Sequence, residues 1–394
     1  MRRIVLVTAR WGDSHGESGV VLRLLAGALS GQAEVEVVSL VTSEPCPPHA
    51  EAVRTRRDSV FVVHEVPVKE PHRAHAGLLR AALAFGGGGR LPEISGPSLV
   101  ELHRAQASGV VDLIASLGGD SVLLAGPETW WLPGALHLAR AAPRVVSAPL
   151  LGDDPLLELA ELGPLVSGLD AVGVLSRGER RRIAGRAQAA PSRLESSPPA
   201  EIVELDVAFA INRPAADQLM VGMSHFGRFV VLLTGFPEGS PAAERSPGHD
   251  YVRRLLGPFA VAEVSLGPWS VSDSRQSRVV PVKASRPNLW KLLAHAELCL
   301  DLRPQGIVGR ETLESLLFGT PVVVPEGTVA AEIAEASQGG LWYRDYGELF
   351  DAAKAILDSP SLRARLSREG RAWAEQVHGD QRRFSAQAVR LAFG

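Results

Sequence analysis

The chain has 394 residues, 45% of them hydrophobic and 22% charged, and carries a net charge of -3. That length suits two domains of about 100–200 residues each, and the balanced charge excludes the basic stripe of a nucleic-acid binder. The only cysteines, Cys46 and Cys299, lie far apart without ligand spacing, which argues against a disulfide framework or a Cys-based zinc site. Met1-Arg2-Arg3 runs straight into an apolar strand with no signal-type stretch. No segment approaches the roughly 20 apolar residues of a membrane span. A cytoplasmic chain is expected, with peripheral contact at the inner membrane face left open.

The first predicted strand, Ile4 to Ala9, is apolar throughout, as in a parallel sheet buried on both faces. A Gly-rich polar loop, Trp11 to Gly19, precedes a helix over Val20 to Leu29 and a second strand over Val35 to Leu40. The alternation continues with LLRAALAF as helix and VVDLIASL as strand, with room for a short helix before it. PGALHLARAA (helix), RVVSAPLL (strand), LLELAELGPLVSGL (helix), AVGVLS (strand) and RGERRRIAG (helix) follow. Strand–helix alternation of this kind makes a doubly wound sheet. A linker is expected near Ile211 to Phe226, after which alternation restarts at Phe229 to Phe236. The second half runs through YVRRLLG (helix), AVAEVSL and RVVPV (strands), NLWKLLAHA (helix), LCLDL (strand), ETLESLLFG (helix) and PVVVP (strand). Gly347 to Gly394 reads as helical, its end suited to packing back on the first domain. The expected division is 1–212, 213–375 and a returning helix over 376–394.

The most informative stretch is Arg303 to Pro325, RPQGIVGRETLESLLFGTPVVVP. A strand ends, a loop with Gly306 and Gly309 follows, and a helix starts near Arg310 and stops at Gly319. Ligands of open α/β sheets bind at the carboxyl ends of strands. Helix N-termini offer free N–H groups and partial positive charge, which suits phosphate.

Here the sequence resembles glycosyltransferase family 4, the large retaining family of the GT-B fold, whose corresponding segment ends in an E-A-x-x-x-G-x-P-V-like run. Glu314 to Val322 matches it, with Ser315 in place of the alanine. The resemblance implies two Rossmann-like doubly wound domains facing a central cleft. It also implies that Glu314 holds ribose hydroxyls and that Gly309 lies beside the diphosphate of a nucleotide-sugar donor. Further similar stretches are Glu326 to Ile333, Gln338 to Tyr343, Ser359 to Glu375, Ala171 to Ile183 and Gly16 to Gly19.

Three departures stand out. The family's second glutamate, eight positions before Glu314, is Gly306 here, with Gln305 beside it as a neutral hydrogen-bonding group. The arginine after the first strand of the second domain is replaced by Phe236, next to Gly235, and no lysine follows. Arg245, Lys283, Arg286 or Arg303 could supply the missing charge. The acceptor-side histidine after the Arg144 to Leu151 strand is also absent, and Asp153 and Asp154 stand there instead.

Catalytic work is therefore expected of Arg303, Arg310 and Asp153. Donor contacts are expected of Glu314, Gly309, Gly306, Gln305, Val308 and Thr312, with Lys283, Arg286 and Gly235. Gly16, Ser18, Gly19, His15 and Asp120 are the candidates facing the cleft from the first domain, Asp120 as a residue at a strand's end. The resemblance implies retention at the anomeric carbon, no metal and no cofactor. The acceptor, whether glycan, lipid-linked or small molecule, stays open, as does the oligomeric state. The alternatives are a catalytically silent GT-B protein that binds a ligand or partner, and another GT-B enzyme such as a sugar-nucleotide epimerase.

Overall fold

The computed structural model describes residues 1–8, 11, 17–41, 53–67, 109–126, 129, 132–148, 169–189, 200–209, 228–234, 260–265, 279–283, 286–302 and 309–394. The chain divides into two compact units, Met1–Val207 with Gln381–Gly394, and Ala208–Asp380.

Unit 1 runs β1 (Arg2–Thr8), α1 (Glu17–Ser30), β2 (Ala33–Val41), β3 (Arg54–Asp58), β4 (Phe61–Pro67), β5 (Ser121–Ala125), α2 (Leu132–Ala139), β6 (Val145–Ser147), β7 (Ala171–Val174), α3 (Arg177–Ala189) and β8 (Glu201–Glu204). Its eight strands lie in the order β3-β4-β2-β1-β5-β6-β7-β8. All neighbours are parallel except β3 and β4. Ile4, Val5, Leu6 and Val7 have no exposure, because β1 is central and covered on both faces. The helix α3 starts with a reciprocal cap: Ser176 Oγ accepts from the Glu179 amide (3.0 Å), and Glu179 Oε2 accepts from the Leu175 amide (2.8 Å).

Unit 2 runs β9 (Phe229–Thr234), β10 (Ala260–Ser265), β11 (Val279–Lys283), α4 (Arg286–Leu293), β12 (Leu298–Asp301), α5 (Arg310–Phe318), β13 (Val322–Pro325), α6 (Val329–Ser337), β14 (Gly340–Tyr343), α7 (Tyr346–Asp358) and α8 (Pro360–His378). Its six strands are all parallel, in the order β11-β10-β9-β12-β13-β14. Helices α7 and α8 open on side-chain caps: Asp345 accepts from Gly347 and Glu348, and Ser359 from Leu362 ahead of Pro360.

The final helix, α9 (Gln381–Phe393), belongs to unit 1, where it packs on α1, β5, β7 and β8. It buries Phe384, Ala388, Leu391 and Ala392, a spacing that puts one apolar stripe on the unit. Polar contacts flank the stripe. Arg383 and Gln387 both bond Asp206 (2.8 and 2.7 Å), and Arg390 bonds Glu201 (2.9 Å).

Four stretches differ from the sequence expectations. Residues 109–117, within the run read as the strand VVDLIASL, are helical, and the strand is β5 beyond them. Short apolar runs fit both periods, so tertiary packing decides. The hairpin of β3 and β4 was not expected. Its outer strand, RTRRD, is charged and exposed and carries no apolar face to announce it. Such charge on an edge strand blocks further strand pairing. The edge strand β8 was likewise not expected; it is only four residues long and ends in charged Glu201 and Glu204. Within the Glu326 to Ile333 stretch, the chain enters α6, capped by Thr328 accepting from the Ala331 amide. LLRAALAF, YVRRLLG and all but the last residue of LLELAELGPLVSGL lie outside the described residues.

Because Phe384 is 1% exposed on the stripe that fixes α9, Phe384→Ala should cost about 3–5 kcal/mol. The loss is expected as a lower urea midpoint for unit 1, with the unfolding of unit 2 unchanged.

Candidate functional site

The strand order of unit 2 singles out one place. From β9 the chain moves outward through β10 to β11, then returns to pair β12 on the other side of β9 and proceeds outward through β13 to β14. The reversal lies between β9 and β12. In open parallel sheets this opens a crevice at the carboxyl ends of the two strands, where ligands bind. Helix α5 is the element that follows β12, so its N-terminus stands at that point. The carboxyl end of β12 is also pinned from the side, where the buried Tyr343 hydroxyl donates to the Asp301 carbonyl at 3.0 Å. Burial, with the Asp301 charge nearby, holds the Tyr343 phenol well above its ordinary range, so it stays a donor.

Gly309 precedes α5 with φ +60°, in the left-handed region. The left-handed conformation is what favours glycine, and a Cβ there would also lie 2.7 Å from Ile333 Cδ1 on α6, whose tip would have to move. Among the described residues no side chain caps the helix start, and the first amides of an α-helix have no acceptor within the helix itself. Gly319, also left-handed at φ +80°, ends the helix.

From Glu311 to Leu317 every residue of α5 is buried, two of them carboxylates. Glu314 has no exposed side-chain surface. Its Oε1 accepts from Arg310 Nε and its Oε2 from Arg286 Nη1, each at 2.9 Å. Glu311, 1% exposed, stands 2.6 Å from the same Arg286 nitrogen. The Arg310 guanidinium also lies over the Phe209 ring, 5.1 Å from its centroid. The result is a neutral cluster of two arginines and two glutamates (Arg286 29% exposed, Arg310 13%). Burial pushes the Glu314 carboxyl up, and the charge of Glu311 adds to this, while Arg286 and Arg310 pull it down. Burial pulls Arg286 down, but the carboxylates of Glu311 and Glu314 outweigh it and hold the guanidinium above its usual range. The Trp290 indole on α4 also favours the charged form of Glu314, although its N–H makes no full hydrogen bond among the described residues.

Local helix energetics do not account for Arg310. A cation in the first turn sits at the positive end of the helix dipole. Arginine preceding glutamate at i,i+4 is also the less favourable order of such a pair.

Of the residues expected at the donor, Glu314, Gly309, Thr312 and Arg286 are brought together at the starts of α5 and α4, with Arg310, expected to be catalytic, beside them. Thr312 is buried, at 1% exposure. Lys283 closes β11, with its side chain outside the described residues. Arg303, Gln305, Gly306, Val308 and Gly235 also lie outside them, as do Asp153, His15 and Gly16. Glu311 was not singled out in the sequence. Between Arg310 and Thr312 in a first helical turn it carries no mark in the sequence, and its burial is what sets it apart.

In unit 1, Ser18 and Gly19 fall in the first turn of α1, with the Ser18 side chain outside the described residues. The loop between β1 and α1 is fastened at Trp11. Its amide donates to Ser39 Oγ (3.0 Å), its indole to Asp58 (2.7 Å), and its ring meets Phe61 edge-on at 5.3 Å. Asp120 corrects an expectation. It precedes β5, at the amino end of the strand, and accepts the Arg3 amide at 2.8 Å. The helix over 109–117 displaced the strand, so Asp120 stands at the end of the sheet opposite the one where ligands bind. Among the described residues no group of three His, Cys, Asp or Glu is placed to hold a metal ion, and no helix is long and apolar enough to cross a membrane.

No family profile and no curated protein matches this chain. Solved structures do match, over nearly the whole length. One is an E. coli trehalose-6-phosphate structure bound with UDP-2-fluoro glucose, with TM-score 0.70 and 12% identity over 98% of each chain. Another is an α,α-trehalose-phosphate synthase (UDP-forming) from Burkholderia vietnamiensis, with TM-score 0.73 and 13% identity over 99% of this chain and 98% of that one. A third is a sucrose-phosphate synthase from Thermosynechococcus elongatus, with TM-score 0.63 and 15% identity over 99% and 97%. At such identities the likeness establishes the fold, which is GT-B, each unit a parallel Rossmann-like sheet.

Two substitutions probe the site's architecture. Glu314→Ala strands Arg310 and should fall at the low end of the about 3–5 kcal/mol seen when one member of a buried pair is removed, because Arg286 keeps Glu311. Gly309→Ala forces a left-handed alanine against α6 and should cost about 1–3 kcal/mol. Urea unfolding of unit 2 measures both.

Proposed function

We propose that this chain is a glycosyltransferase that moves a sugar from a nucleoside-diphosphate donor to an acceptor, with retention at the anomeric carbon. The reading is supported by one observation above the others. The uncapped start of α5 stands where the strand order of unit 2 reverses, with two arginines gathered around it. Oriented amides and partial positive charge suit a diphosphate. The family 4 resemblance assigns donor binding to Glu314, Gly309 and the run to Val322. Two structural neighbours, one bound with UDP-2-fluoro glucose and one a UDP-forming synthase, agree with this chemistry.

In this reading the diphosphate lies against the amides that follow Gly309. Arg310 adds charge at the helix start. Each Glu314 oxygen has two lone pairs, so its arginine contact leaves an acceptor for a pentose hydroxyl. As the bond between anomeric carbon and diphosphate breaks, negative charge grows on the leaving oxygen. A preorganised cation in a water-poor site stabilises that charge. Arg286 supplies it in place of the arginine absent at Phe236, with Lys283 and Arg303 as further candidates, and no metal is required. The acceptor hydroxyl oxygen then bonds to the same face of the sugar, and its proton passes to the departing diphosphate oxygen. Its binding is assigned to unit 1, with Asp153 and the loop of His15, Gly16, Ser18 and Gly19 as candidates.

A second reading, a catalytically silent GT-B protein, draws support from the complete burial of Glu314 between two arginines.

Calorimetric titration with UDP, GDP and ADP tests the choice. At least one should bind, and Glu314→Ala should abolish that binding in a protein that still folds. Arg310→Met should weaken it about tenfold or more, as the loss of a hydrogen bond to a charged group of about 1.5–3 kcal/mol implies. Slow hydrolysis of the matching nucleotide sugar should accompany binding. If none of the three diphosphates binds, the transferase reading fails.

A further inference from the structure

Glu311 has no role in the reading above, yet its position requires a reason. It lies in the first turn of a helix whose residues Glu311 to Leu317 are all buried, and 1% of its side chain is exposed. Desolvating a carboxylate costs several kcal/mol, and an apolar side chain of similar volume is commonly neutral or better for stability. The helix dipole recovers only about 0.3–1 kcal/mol of that. Glu311 also sits beside a second buried carboxylate, Glu314, and both approach the same nitrogen, Arg286 Nη1, at 2.6 and 2.9 Å. Like charges drawn to one point repel, so stability alone disfavours the arrangement.

The arrangement does fix one thing well, which is where Arg286 stands. Arg286 is the first residue of α4, just past the carboxyl end of β11, on the side of the sheet where ligands bind. It is the most exposed of the four charged groups, at 29%. A long arginine side chain leaving a helix start is otherwise free to sample many rotamers. Two carboxylates on one terminal nitrogen remove that freedom, while the side chain as a whole keeps 29% of its surface exposed.

We infer that Glu311 is a positioning residue, which acts through Arg286 by locking its Nη1 so that the guanidinium meets the donor's diphosphate in a single orientation. The inference rests on the donor-site reading given under the proposed function. It assigns Glu311 no contact with substrate. It also explains why a glutamate occupies a turn that packing would fill with an apolar residue.

The test is a double-mutant cycle on nucleotide affinity, read by calorimetry well below the melting temperature of every variant. Whichever of UDP, GDP and ADP binds the wild-type chain most tightly serves as the probe. Glu311→Gln and Arg286→Gln should each weaken binding about tenfold, and the double variant should be no weaker than Arg286→Gln alone, because coupled groups are non-additive. Glu311→Asp, which keeps the charge on a shorter arm, should recover part of the affinity. It carries the test on its own if Glu311→Gln fails to fold, the inference then requiring affinity between wild type and Arg286→Gln. Unchanged affinity in Glu311→Gln, losses that add in full, or wild-type affinity in Glu311→Asp when that variant stands alone would each overturn the positioning role and leave the donor site intact. If the wild-type chain binds none of the three diphosphates, the donor-site reading falls and takes this inference with it.

Discussion

The interaction on which the rest depends is the four-membered charge cluster at the start of α5. Glu311 and Glu314 are removed from water, and Arg286 and Arg310 supply the opposite charge that offsets their desolvation. The two arginines come from different helices, so the cluster ties α4 to α5 at the end of the sheet where a ligand would enter. Gly309 makes the tie possible. Its left-handed turn lets the chain start α5 against α6 without a side chain in the way. Charge, backbone and strand order thus converge on one point, and each on its own would say little.

The scaffold behind the cluster is built from ordinary forces. The central strands of both sheets are parallel and buried on both faces, so their polar groups open to chemistry at the strand ends. In unit 2 the topology selects the ends of β9 and β12 among them. Tyr343 reaches across from β14 to hold the last carbonyl of β12, which steadies the chain just before the site. In unit 1 the loop after β1 is anchored by the Trp11 indole on Asp58, and α9 closes the unit through an apolar stripe flanked by ion pairs. Unit 1 therefore contains both the beginning and the end of the chain.

Much of this was legible in the sequence, for reasons that can be traced to particular residues. Buried parallel strands such as IVLVT, FVVLLT and PVVVP announce themselves as unbroken apolar runs. Gly309 and Gly319 bracket α5 because only glycine turns the chain left-handed there at little cost. Other parts were illegible on physical grounds. The charged edge strand β3 has no apolar face, and the run VVDLIASL fits a helix and a strand about equally, which moved Asp120 to the wrong end of β5. The sequence placed Glu314 and Arg286 in one list of candidates but could not show that they touch, since 28 positions separate them. Glu311 went unnoticed because a first-turn glutamate is ordinary on an exposed helix; burial alone makes it unusual.

Amide hydrogen exchange offers the most direct measurement of the central claim. The amides from Gly309 to Thr312 begin α5 without a side-chain cap, and a diphosphate seated there would accept from them. Addition of the nucleoside diphosphate that binds should slow exchange in the peptide spanning these residues more than anywhere else in unit 2. Binding that leaves this peptide unchanged, with protection appearing only in other segments, would contradict the account.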